Sequence, residues 1–213
     1  MKIFLETSRL ILRNLTNDDV DDLVILDSDR EVMRFINGGI AISRSAIAND
    51  FLPYAMSYGD QYNNFGFWAI VEKSSQEFIG WIFLRPEVDF KLLQQLNFAE
   101  PNAVEIGYRI RKRSWNKGYT TEAVRALIAK SFTELNISKI VAWAIAENKA
   151  STRVMQKAGM KLQQEYIVTA DMLRDDDSLL ESSLVQNLLD RPLVKYQIGA
   201  ARQNDAVKNK NVK

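Results

Sequence analysis

The chain has 213 residues, 46% apolar and 26% charged, with a formal net charge of +1. That suits one domain of ordinary size with a large core, and a near-neutral balance supplies no global field toward nucleic acid or a membrane surface. Cysteine and histidine are both absent, which excludes a Cys nucleophile, a Cys/His zinc site, a Ser-His-Asp triad and a His general base, so acid–base work falls to Asp, Glu, Lys, Tyr, Ser or water.

The start, Met1 to Glu6, is too short and polar for a signal peptide, and no apolar run approaches the ~20 residues of a membrane span. A soluble, cytoplasmic protein is expected. Arg9–Leu15 alternates and predicts a strand. Thr16-Asn17-Asp18-Asp19 offers a cap for a helix over Asp18–Asp27. Ser43 caps a second helix to Tyr58, and Pro53 predicts that it splits or kinks. Phe65–Glu72 and Phe78–Leu84 form a hairpin, with Gly80 marking a bulge or a close backbone approach. Trp68, Trp81, Phe83 and later Trp143 have strand periodicity and are expected in the core.

Ala103–Ile110 is the next strand, again with an internal glycine, Gly107. Arg113 to Gly118 forms a turn, and Thr121–Glu134 is a helix with Ala123, Leu127, Ile128 and Phe132 on its apolar stripe. Strand, single-glycine turn and a helix opening on two threonines outline an anion site. N–H groups at a helix start have no internal partner, and the helix dipole favours negative charge there. We therefore place a pyrophosphate on the turn. Lys139–Ile145 is a nearly continuous apolar run, a strand buried on both faces. Asn148 opens a short helix to Lys157, closed by Gly159. Lys161–Thr169 and Pro192–Ile198 are the last strands. Between them lies an acidic insertion, Asp171–Asp190, helical over Ser178–Leu189, whose run Asp175-Asp176-Asp177 is expected to be a solvated face, the alternative being a patch that attracts a cationic amine or peptide. The expected organisation is one domain over residues 1–199 and a disordered tail over 200–213. The fold class is α+β, a mixed sheet with a helix linking its two central strands.

In this order and spacing the residues resemble the GNAT acetyltransferase superfamily, and within it the ribosomal-protein N-terminal acetyltransferase branch. Four segments carry the resemblance: Ser8-Arg9-Leu10-Ile11-Leu12-Arg13, Glu105-Ile106-Gly107-Tyr108, Trp115 through Ala123, and Asn148-Lys149-Ala150-Ser151 with Lys157-Ala158-Gly159-Met160. Asn116 stands where the family has Gly, Thr120 where it has Ala or Gly, and Met160 where it has an aromatic. Met155 stands where many members carry a Tyr that protonates the leaving thiolate. The insertion has no counterpart in the pattern.

The resemblance implies a GNAT-like sheet splayed between strands four and five, with helices on both faces. It implies acetyl-CoA as co-substrate, no metal, and an amine acceptor, either a protein N-terminus or a small molecule, in a monomer or homodimer. The pantetheine arm would hydrogen-bond to strand backbone at Tyr108 and Ile110. Trp115, Asn116, Lys117, Gly118, Tyr119, Thr120 and Thr121 would form the pyrophosphate loop, with added charge from Arg113. Glu105 is either the base that takes the amine proton through water or a structural carboxylate. Asn148 contacts the pantetheine or orients water, or caps its helix, or does both. Ser151 stabilises the thiolate by hydrogen bond, or is an ordinary first-turn serine. Tyr54, Tyr58, Tyr62 and Phe65 are placed near the acceptor groove, which residues 33–66 and 170–190 would build. The alternative to an enzyme is a cofactor-binding sensor with little catalysis.

Overall fold

The computed structural model describes residues 2–62, 64–173 and 177–200. Most of the expected tail, and Asp175 and Asp176 of the acidic run, lie outside the described residues. Eight strands form a single sheet in the order β1-β2-β3-β4-β5-β6-β8-β7. Their ranges are β1 Ile3–Glu6, β2 Leu10–Asn14, β3 Gly66–Glu72, β4 Phe78–Pro86, β5 Val104–Ile110, β6 Lys139–Ile145, β7 Lys161–Ile167 and β8 Pro192–Gly199. All neighbours are antiparallel except β5 and β6.

Nine α-helical segments accompany the described strands: α1 Val20–Ser28, α2 Arg30–Asn37, α3 Arg44–Ala46, α4 Leu52–Gln61, α5 Lys91–Gln95, α6 Tyr119–Thr133, α7 Lys149–Lys157, α8 Asp177–Leu180 and α9 Ser183–Leu188. The helix expected over Ser43–Tyr58 begins at its Ser43 cap, whose hydroxyl accepts from Ala46 N–H at 3.1 Å. It stays helical through Pro53, because one π-helical turn, Ile47–Phe51, precedes the proline. The wider turn accommodates the missing N–H and the bulk of the ring. The expected insertion helix is two short ones, α8 and α9, separated by Glu181 and the capping Ser182. Strand β1 and helices α2 and α5 were not expected.

Alternation along the strands sorts residues to two faces. Ile82, Leu84, Ile106 and Ile110 face α6 and α7 in one buried cluster. Trp81, Phe83 and Phe67 face α1, the Ile47 turn and α4 in a second. A third cluster, Ile145, Leu193, Leu92, Leu93 and Leu188, continues the second face under α5 and α9. Gly80 and Gly107 are required by close approach. A Cβ on Gly80 would sit 2.1 Å from the Arg109 carbonyl oxygen, beside the one-residue bulge of β4. One on Gly107 would sit 2.3 Å from the ring of Phe83.

Beyond the two paired positions Val104↔Ile140 and Glu105↔Val141, β5 and β6 part. From there β5 keeps only β4 as a partner and β6 only β8. The expected splay is present, and it positions the site.

Candidate active site

The diverging strands open into a cavity of about 1060 Å³. Glu105 lies at the vertex, where pairing ends, and the turn after β5 lies at the mouth. In that turn Asn116 (φ 60°) and Gly118 (φ 81°) are both left-handed. Asn is the side chain that best tolerates this conformation outside glycine, so its departure from the family pattern keeps the loop's shape. The first helical bond of α6 runs from Glu122 N–H to the Gly118 carbonyl at 3.0 Å. The N–H groups of Tyr119, Thr120 and Thr121 therefore have no partner inside the helix. Among the described residues no other carbonyl accepts from them.

The start of α6 is held by the chain's opening motif. Glu122 Oε1 accepts from Thr7 Oγ1 (2.6 Å), Ser8 Oγ (3.0 Å) and Arg9 N–H (3.0 Å), while Arg9 Nε donates to Oε2 at 2.7 Å. Arg9 Nη1 also donates to the Lys117 carbonyl at 3.0 Å. Partial burial alone would raise the Glu122 carboxyl, but bonds from Thr7, Arg9 and Ser8 outweigh it and the net shift is downward. The clamp is therefore formed above the ordinary glutamate range and is lost as pH falls through this lowered value. Glu122→Ala is expected to raise the KM for acetyl-CoA about tenfold with little change in kcat, since it frees the turn without touching the reacting atoms. Steady-state kinetics with varied acetyl-CoA checks this; an unchanged KM refutes it.

The proposed cofactor residues divide into two groups. Tyr108, Ile110, Trp115, Asn116, Gly118, Thr120, Thr121, Asn148 and Ser151 line the cavity, as does Glu105. Arg113, Lys117 and Tyr119 do not. Arg113 pairs with Glu77 at 3.1 Å. Tyr119 is 7% exposed, with its hydroxyl donated to Glu72. Its side chain is therefore turned away from the cavity, and only its main chain is left for the turn. Trp115 donates its indole N–H to the Ile110 carbonyl at 2.8 Å, tying the turn to the end of β5.

Glu105 is buried, and Arg85 reaches it from the directly opposite position on β4. Both Nε and Nη2 of Arg85 lie 2.7 Å from Oε2. Burial raises the Glu105 carboxyl above the ordinary range, and Arg85 opposes this without cancelling it. Asn148 caps α7, accepting from Ser151 N–H at 3.2 Å. Tyr108 crosses from β5 to α7, its hydroxyl 3.1 Å from Ser151 Oγ and 3.2 Å from the Ser151 carbonyl. Burial drives this phenol well above its usual value. Met155 is fully packed in the core.

On the other side of the cavity, α2 meets α9. Asn187 donates to the Arg34 carbonyl at 3.3 Å, and Arg191 stacks on Phe35. Segments 33–54 and 183–188 both contribute to the wall. Of the expected groove aromatics only Tyr54 lines it; Tyr58 is buried with its hydroxyl on Asp89, and Tyr62 and Phe65 pack behind. Trp68 is core as expected, but Trp81, Phe83 and Trp143 also form wall. Sequence reasoning missed Arg85, and it missed the buried pair Asp27–Arg109, whose Oδ1 and Nη1 are 2.7 Å apart. Only the alternation of β4 could have pointed to Arg85, and only once its register against β5 was known.

Residues 9–161 match the family described as the Acetyltransferase (GNAT) domain. The chain is 32% identical over 167 residues to the uncharacterised N-acetyltransferase p20 of Bacillus licheniformis, covering 73% of this chain and 84% of that one. In structure it resembles a GNAT-family acetyltransferase from Bacillus anthracis with a TM-score of 0.69 at 22% identity, over 93% of this chain and 98% of the other. It also resembles RimL, a ribosomal L7/L12 α-N-protein acetyltransferase solved with coenzyme A, with a TM-score of 0.68 at 14% identity over 93% and 98%. With the splayed strands, the open amides of the turn and the family match all in one place, the chain belongs to the GNAT acetyltransferase family.

Proposed function

We propose that the protein transfers the acetyl group of acetyl-CoA directly to a primary amine within a ternary complex, with residues 1–199 acting as one unit. The observation that carries this is the gap between β5 and β6, which runs from the unpartnered amides of the turn to a buried carboxylate at its vertex. The residues present fit the co-substrate. The N–H groups of the Gly118–Thr121 stretch suit a pyrophosphate, the free edges of β5 and β6 suit an extended amide-bearing arm, and Lys149, Arg153 and Lys157 add positive charge to the same cavity.

Within that frame Glu105 accepts the amine proton through water on Oε1, the oxygen that Arg85 does not contact. Its raised pKa brings it closer to the working pH, where a base is most effective. The amine nitrogen forms the new bond to the acetyl carbon as the carbon–sulfur bond breaks. Ser151 then donates a hydrogen bond to the departing sulfur. Tyr108 acts as a positioning residue: its hydroxyl donates to the Ser151 carbonyl at 3.2 Å and lies 3.1 Å from Ser151 Oγ, which holds the serine side chain at the cavity wall. Tyr108→Phe is expected to lower kcat about five- to tenfold, the worth of one hydrogen bond of roughly 1–1.5 kcal/mol. The KM for acetyl-CoA and the acid limb of the pH profile should stay in place. An unaltered kcat rejects this positioning role.

The whole reading is tested by incubating the protein with acetyl-CoA and a panel of free amines and short peptides, following thiol release and the mass gain of one acetyl group. Calorimetric binding of acetyl-CoA without transfer to any amine would convert the enzyme into a sensor. No binding would remove both.

A further inference from the structure

We infer that the acceptor is a monoamine borne on an aromatic or branched apolar body, and that polyamines are rejected; this rests on the acetyl-transfer reading above. The argument begins with the register of β4 and β5. On the acceptor face Trp81, Phe83 and Arg85 stand opposite Arg109, Gly107 and Glu105. The absent side chain of Gly107 lets the Phe83 ring lie across β5, directly between the two Arg–carboxylate pairs. Phe67 stacks on Phe83 with ring centres 5.1 Å apart, and Phe51 packs on Phe67 and Trp81. The surface that adjoins the proposed base is therefore aromatic.

The charged groups of β4, β5 and Asp27 on that wall are already ion-paired, although Trp81 Nε1, Arg109 Nε and Asp27 Oδ1 are buried without a hydrogen-bond partner. Glu105 holds Arg85, and Asp27 holds Arg109. Asn37 is closed on its own turn, donating to the Ile40 carbonyl at 2.8 Å and accepting from Ile40 N–H at 3.0 Å. The ring faces are committed too. Arg109 lies 5.0 Å from the Trp81 centroid, and Arg85 lies 4.8 Å from Phe83 and 4.6 Å from Phe90. These three rings have a cation on one face already, which weakens the attraction of an aromatic cage for a further ammonium group. Among the described lining residues, two carboxylates, Asp27 and Glu105, face five cationic side chains, Arg85, Arg109, Lys149, Arg153 and Lys157.

A second ammonium on the substrate would enter this cavity with no carboxylate among the described lining residues that lacks an ionic partner. Burying such a charge unpaired is strongly unfavourable. A single amine on an apolar body meets the opposite balance. Its body buries against Phe83, Phe67 and Phe51, and the low polarity and positive surroundings favour the neutral form, which is the nucleophile.

The test uses the full chain with saturating acetyl-CoA and four probes: 2-phenylethylamine, isoamylamine, putrescine and spermidine. Acetyl-CoA binding is measured separately by calorimetry. The kcat/KM for 2-phenylethylamine is expected to exceed that for spermidine by at least about a hundredfold. Tyr54, 44% exposed at the rim, provides the second arm. Tyr54→Glu adds a further carboxylate to the lining, beside Arg85, and should narrow the ratio at least about tenfold. Equal or better use of spermidine by the unaltered protein overturns the inference while leaving acetyl transfer intact. So does binding of acetyl-CoA with no transfer to either apolar monoamine. Failure to bind acetyl-CoA removes the functional reading itself.

Discussion

Glu105→Gln is expected to reduce kcat by about 10²–10³, the range typical of a lost general base. The substitution keeps the size of the side chain and leaves an oxygen to face Arg85, so the site's shape is preserved. In the unaltered protein kcat/KM should fall as pH drops through the Glu105 pKa, because the base must be ionised to act. Burial raises that pKa, so the fall begins at a higher pH than an ordinary glutamate would give. In the variant this acid limb should vanish, while acetyl-CoA affinity by calorimetry stays within about twofold. A modest drop in melting temperature is also expected, since Arg85 loses its ionic partner. If the variant keeps a third or more of the activity, or keeps the acid limb, Glu105 serves only to anchor Arg85 and the base lies elsewhere.

The second large effect concerns stability. Lys195 is fully buried on β8, with Nζ 2.8 Å from Glu87 Oε1 and 2.8 Å from Glu100 Oε1. Glu87 is also fully buried, and its Oε1 accepts from Trp143 Nε1 at 2.7 Å. Lys195→Met would leave the Glu87 carboxylate without its cation in a dry environment. A loss of about 3–5 kcal/mol in unfolding free energy is expected, a large part of a typical domain's total. Glu87→Gln combined with Lys195→Met should recover much of that, because no bare charge remains. Urea unfolding of both variants measures it, and a loss below about 1 kcal/mol in the single variant would show that the pair contributes little. Glu100 adds a pH dependence. Partial burial would raise its pKa, but hydrogen bonds from Lys139 and Lys195 carry it down to about 2. Its contribution is complete above the ordinary glutamate pKa and is lost as pH falls toward that value.

Much of this was legible in the chain because it depends on local patterns. Strand-like patterning located seven of the strands, β2 by alternation, β3 by aromatic and β-branched content and β6 as an apolar run, and the turn at Gly118 announced itself by a lone glycine before paired threonines. Asn148 was recognisable both as a cap and as a family residue, and its capping bond is present. What escaped notice had weak or distant signals. Helix α2 has an Asp29 cap and a left-handed Gly38 at its end, but it is short and carries three charged residues, Arg30, Glu31 and Arg34. The β1 strand gains its stability from pairing with β2, not from its own composition. In the site, Arg85 meets Glu105 only through the β4–β5 register, and Tyr108 meets Ser151 across 43 positions of sequence. Such contacts are products of tertiary packing, which no window along the chain contains.

The contact between α2 and α9 has an evolutionary corollary. The elements proposed to grip the nucleotide-bearing donor occupy one unbroken stretch from Val104 to Lys157, whereas the far wall is assembled from flanking pieces on either side of it. Insertions or replacements in those flanks can retailor which amine is admitted while the transfer machinery is inherited unchanged. A single scaffold can thus diversify its clientele by exchanging its outer segments.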